Sequence, residues 1–132
     1  MDAEHLHEHP DGYRGWVRPG GRRGRWIEPF LLLLVAEGEA HGYALISALN
    51  ELCVAPEAVD VGMAYRALRE FEGEGLVDSR WVAEDGAPRR TYRLAERGRQ
   101  ALTEWIGVMR ERARLTDAFL QRAEGLDTSQ GG

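Results

Sequence analysis

The chain has 132 residues, 30% of them charged, a formal net charge of -5 and a mean hydropathy of -0.45. That length holds one domain with a modest core, and the longest apolar run, residues 30–36, is far too short to span a bilayer. A single cysteine, Cys53, excludes an internal disulfide; with an acidic, histidine-bearing N-terminus in place of a signal sequence, it fits a reducing cytoplasm.

Residues 1–25 are rich in Gly, Arg and His, with prolines at 10 and 19, and are expected to form a flexible arm. All 17 basic residues are arginine, and five of them (Arg14, Arg18, Arg22, Arg23 and Arg25) lie in this arm. They resemble basic tails that follow a minor groove or phosphate backbone, although a solvated arm would look the same. His5, His7 and His9 alternate, but a mobile tail gives a metal neither fixed geometry nor supporting hydrogen bonds, so no metal or cofactor is expected.

From Trp26 the chain reads WIEPFLLLLVAE and stops at Gly38, a mostly buried helix with Pro29 in its first turn. A second helix is predicted from Gly42–Tyr43 to Leu52, with Tyr43, Ile46, Leu49 and Cys53 on one face. Asp60 is a natural N-cap for a third, carrying Met63, Ala64, Ala67, Leu68 and Phe71 on one side and Arg66, Arg69, Glu70 and Glu72 on the other. Gly73 and Gly75 end it. LVDSRWV then reads as a strand, EDGAP as a tight turn and RRTYRL as a returning strand. Helix, strand, turn and arginine-bearing strand in that order describe a recognition helix followed by a β-wing. The last pattern, from Glu96 to about Glu124, is a long helix whose apolar stripe (Leu102, Trp105, Ile106, Met109, Ala113, Phe119, Leu120) outruns a three-helix core; a second copy of the chain is its simplest cover. The domains expected are thus the arm 1–25, a winged helix-turn-helix 26–95, a dimerisation helix 96–125 and a disordered tail 126–132.

The ordered series His41-Gly42-Tyr43, Tyr65-Arg66-x-Leu68, Glu74-Gly75-Leu76-Val77, Trp81 and Gly86-x-Pro88-Arg89-Arg90-x-Tyr92-x-Leu94 resembles the PadR family of bacterial transcriptional regulators over residues 26–109. The Trp26-x-x-Pro29 opening and the arginine-rich wing look closest to the branch that includes polyhydroxybutyrate-responsive repressors. The resemblance implies an α+β, mainly α fold: a winged helix-turn-helix with a two-stranded wing and a C-terminal helix that builds a homodimer. It also implies a repressor released by a small effector, commonly phenolic or planar aromatic. One departure stands out. The family usually opens its recognition helix with Pro-Gly-Thr-Leu-Tyr, whereas this chain has Val61-Gly62-Met63-Ala64-Tyr65. Loss of the threonine hydroxyl removes a DNA contact, so operator sequence does not carry over.

The DNA-contact candidates are Met63, Tyr65, Arg66 and Arg69 at the recognition helix, Tyr43 and Ser47 at the start of the preceding helix, and Arg89, Arg90 and Arg93 in the wing. Arginine binds guanine O6 and N7 in bidentate fashion, and wing cations hold phosphates without reading sequence. Strand alternation puts Arg89 and Arg93 on one face and Arg90 with Tyr92 on the other. The structural alternatives are Tyr65 and Tyr43 as packing residues, Arg69 paired with Glu72 or Glu74, and Arg93 paired with Glu84 or Asp85. Trp105, with Trp26, Phe30 and Met109, either lines a slot for a flat aromatic effector or is dimer core. Two reading heads on a two-fold axis would address half-sites of a pseudo-palindromic operator. A rival reading, favoured by the acidic total and the Met63-Ala64 pair, is a protein-interaction module that has given up DNA. Enzyme chemistry is not expected, since no nucleophile–base pair or phosphate-binding loop stands out.

Overall fold

The computed structural model describes residue 18 and residues 26–52, 60–84 and 86–131. Its elements are α1 (Glu28–Glu37), β1 (Ala40–His41), α2 (Gly42–Leu52), α3 (Val61–Gly73), β2 (Val77–Glu84), β3 (Ala87–Leu94) and α4 (Glu96–Gly131). The predicted histidine trio, Cys53 and all the arm arginines except Arg18 lie outside the described residues.

α1 is apolar on nearly every side, so it goes to the middle of the domain: Ile27, Leu31 and Leu32 are fully buried. Leu45, Ile46 and Leu49 of α2 and Met63, Ala64, Ala67, Leu68 and Phe71 of α3 complete a core closed by Val77, Tyr92 and Trp105. The inward face of α2 is therefore turned from the predicted one: Gly42 is buried at its start, while Tyr43 is 78% exposed. The reason is Tyr65. A Cβ at Gly42 would lie 2.8 Å from Tyr65 Cε1, so the first turn of α2 rests against that half-buried ring and Tyr43 is rotated outward.

The predicted wing is a three-stranded antiparallel sheet in the order β1-β3-β2. β2 and β3 pair from Val77↔Leu94 to Glu84↔Ala87, and the two-residue β1 adds Ala40↔Tyr92 and His41↔Thr91 on the other edge of β3. Only two strands were legible in advance, because two residues carry no periodicity. Gly75 and Gly86, with φ of 78° and 81°, make the turns out of α3 and between the long strands.

α4 holds 36 residues and so runs about 54 Å. It does not stop near Glu124: the segment predicted as a disordered tail continues the helix to Gly131. Its first turn is fixed by Gly98, where a Cβ would sit 2.1 Å from the Leu76 carbonyl oxygen and 2.6 Å from Leu94 Cδ1. The Ala95 amide donates to the same Leu76 carbonyl at 2.9 Å, so the base of the wing and the root of α4 are one joint. From Arg110 to Arg122 every residue is exposed. Because backbone rather than a side-chain tip blocks the space, Gly98→Ala is expected to lower stability by about 2 kcal/mol or more in urea unfolding. A change under about 0.5 kcal/mol, the range of ordinary surface substitutions, would contradict the joint.

Candidate nucleic-acid interface

α3 is amphipathic, and its buried face decides what the opposite face offers. Asp60 caps it, its carboxylate accepting from the Gly62 amide at 2.8 Å and the Met63 amide at 3.4 Å. With Met63, Ala64, Ala67 and Leu68 in the core, Gly62, Arg66 and Arg69 share the exposed side at spacings of four and three. Among the described residues neither arginine has a hydrogen-bond or ion-pair partner, so the predicted pairing of Arg69 with Glu72 or Glu74 is not made. Met63, predicted as a DNA contact, is 6% exposed and belongs to the core, since the helix angle that buries Ala67 and Phe71 buries it too. Tyr65 is half-buried against Gly42, as its packing alternative had it. Tyr43 and Ser47, one turn apart on α2, are both exposed.

The strand register sorts the wing charges as alternation predicts. Arg89, Thr91 and Arg93 face one way, and Arg90 and Tyr92 face the other with Ser79 and Trp81. Arg90 is exposed like its neighbour but, unlike it, is engaged. It donates from Nε to Ser79 Oγ at 2.9 Å and from Nη2 to Glu72 Oε2 at 3.2 Å, and lies 5.4 Å from the centroid of the Trp81 ring. Ser79 Oγ donates to the same Glu72 carboxylate at 2.7 Å, so the network clasps the wing to the last turn of α3. Arg89 has no partner among the described residues, and Arg93 stands opposite Asp78 in the register; Asp85 and the Glu84 side chain, its predicted partners, lie outside what is described. Sequence reasoning missed Trp81 as a surface residue; it is 65% exposed on the face shared with α3.

A second clasp holds the other face. Glu39, just before β1, accepts from Arg80 Nε at 2.9 Å and from Thr91 Oγ1 at 2.7 Å. Those bonds, Arg80's first, hold its carboxyl below the ordinary glutamate value. A lowered folded pKa contributes stability above the unfolded value, about 4.3, that is lost as pH falls through the folded one. An NMR titration should place the Glu39 midpoint below the ordinary range in the wild type and within it in Arg80→Ala. An ordinary midpoint in the wild type would contradict the clasp.

Away from the wing, α1 and α4 enclose an apolar groove of about 350 Å³ walled by Phe30, Leu33, Leu102, Trp105, Ile106, Met109 and Ala113. The structure thus brings together Phe30, Trp105 and Met109 of the predicted effector set. Trp26 is not in the lining; it meets Phe30 edge-on, with centroids 6.3 Å apart. Trp105 is only 3% exposed within a single chain, so it is first a core residue of its own protomer. Phe119 and Leu120 lie farther along α4 and are exposed.

Arg18 was assigned to the flexible arm, yet its side chain is 14% exposed and sits between Glu28 and Glu74. No periodicity could have marked it. Among the described residues there is no metal-binding cluster, and no helix is long and apolar enough to cross a membrane.

The family model of the transcriptional regulator PadR-like family matches residues 31–104, which include α2, α3 and the whole wing. The chain belongs to that family. Its members are transcriptional regulators, not enzymes. Transcriptional regulator Rv3488 of Mycobacterium tuberculosis is 38% identical over 79 residues, 60% of this chain and 71% of that protein. Among solved structures, the conserved protein TM0937, described as a potential transcriptional factor, superposes with a TM-score of 0.69 at 29% identity, covering 76% of this chain and 90% of its own. Bacillus subtilis PadR in complex with operator DNA gives a TM-score of 0.56 at 24% identity, over 62% of this chain and 47% of that one. The PadR winged-helix architecture, with its small antiparallel sheet and long C-terminal helix, is the one described above.

Proposed function

We propose that this PadR-family protein is a cytoplasmic, homodimeric DNA-binding repressor released by a small apolar effector. The observation that carries the DNA-binding reading is the exposed side of α3, where Gly62, Arg66 and Arg69 stand beside a capped N-terminus and neither guanidinium has an ion-pair partner among the described residues. Glycine at the first turn lets the backbone approach a base pair closely, and the arginines supply bidentate donors. Arg89 and Arg93 reach flanking phosphates from the wing, and Tyr43 and Ser47 do so from α2. The operator DNA bound to Bacillus subtilis PadR is consistent with this use of the fold.

Homodimerisation is supported by the exposed apolar residues Ile106, Leu115, Phe119, Leu120 and Leu126 on a helix that outruns its own core. The groove beside Trp105 then lies at the dimer seam, where an effector that prefers one spacing of the two heads lowers DNA affinity, and DNA lowers effector affinity equally. Replacing both Leu115 and Phe119 by glutamate is expected to give a folded monomer in sedimentation equilibrium, since neither touches the core. A dimer that survives the pair would place the interface elsewhere.

A second reading, a protein-interaction module without DNA binding, draws on the net charge of -5 and on Arg80 and Arg90 being already paired with Glu39 and Glu72. Fluorescence anisotropy with DNA from upstream of its own gene separates the two. Repression requires an affinity that falls steeply with salt; Arg89→Ala reduces the slope by about one and weakens all sequences alike, while Arg66→Ala costs about 1–3 kcal/mol on operator alone. Absence of any salt-dependent complex would leave the interaction module.

A further inference from the structure

The recognition helix is held at both ends, and the far end is held by a residue outside the family-matched region. Glu74 caps the C-terminus of α3, and Glu28, 4% exposed at the side chain, opens α1. Arg18 spans them. Its Nη1 and Nη2 donate to Glu74 Oε2 and Oε1 at 2.9 and 2.6 Å, and its Nε lies 2.9 Å from Glu28 Oε1. A planar guanidinium can grip one carboxylate with its two-pronged fork while its charge pairs with a second beside it, whereas an ammonium has no such fork. Residues 31–104 match the family model, so Arg18 and Glu28 both precede the shared reading head.

The geometry points to Arg18 as a positioning residue that latches the exit of the recognition helix to α1. Loss of that cation takes from both carboxylates the charge that ties them to each other, which loosens the last turn of α3 from α1. The same turn carries Glu72, the anchor of the Arg90 wing clasp, so the latch sets helix and wing together. Arg18 itself is too enclosed to serve as a phosphate contact. The binding arm of the test rests on the DNA-reading function proposed above; the exchange arm does not.

Hydrogen exchange reads the latch in the free, full-length protein. The amides of Glu74, Gly75 and Leu76 close α3 through Glu70, Glu72 and Phe71 carbonyls at 2.9, 3.1 and 2.8 Å. In Arg18→Lys and Glu74→Gln these amides should lose protection about tenfold while those within α2 keep theirs, and Arg18→Ala should lose more. On operator DNA, affinity should fall about tenfold with non-specific affinity and salt slope unchanged. Unchanged protection at the α3 exit, or an equal loss in every element, overturns the latch. A salt slope lowered by about one, with all sequences weakened alike, also overturns it by making Arg18 a phosphate contact. If the wild type binds no DNA, the DNA-reading function falls alone and the exchange result still decides the latch.

Discussion

Burial of one face of α3 is the constraint on which the rest depends. Met63, Ala64, Ala67, Leu68 and Phe71 commit that face to α1 and α2, and burying Leu68 and Phe71 alone contributes about 1.5–3 kcal/mol each. The two alanines let the helix sit close to its neighbours. Once the inward face is set, helical geometry leaves Gly62, Arg66 and Arg69 outside, and no further design is needed to present them. Everything else in the domain fixes the direction in which that presented face looks.

Three ionic clasps do the fixing, each tying a different part of the head. Arg90 binds Glu72 and joins the wing to α3, Arg80 binds Glu39 and joins the wing to the entry of β1, and Arg18 binds Glu74 and Glu28 and joins α3 to α1. The exposed pairs are individually weak stabilisers. Their value is angular: a hairpin attached only at its base can swing, and a small swing at the base becomes a large one at Arg89. This division explains a chain that is acidic in total yet keeps some arginines uncommitted. The glutamates neutralise the structural arginines and, among the described residues, leave Arg66, Arg69 and Arg89 without an ion-pair partner.

Much of this was legible in the sequence, and the failures have physical causes. The span of α2, the Asp60 cap and the facing of Arg89, Arg90 and Arg93 follow from local chemistry and strict periodicity, which act within a few residues. The rotation of α2 did not follow locally, because it depends on Tyr65 lying under Gly42 twenty-three residues away. Met63 was offered both to the apolar side of α3 and to DNA, and at 6% exposure it belongs to the apolar side. β1 is two residues long and exists only as an edge partner of β3. Arg18 is the extreme case, since its partners lie 10 and 56 residues distant and no pattern surrounds it.

Trp105 walls the groove and shares one small core with Met63, Ala64, Ala67, Leu68 and Phe71 of α3. Joint use of the groove and the reading face depends first on whether two heads address DNA together. Hydroxyl-radical footprinting of the protein on DNA upstream of its own gene tests this most directly. The expected result is two symmetric protected patches on one side of the duplex, about 34 Å apart and related by an inverted repeat. Uniform cleavage, or one unpaired patch, would contradict a dimer that reads DNA through α3 and the wing.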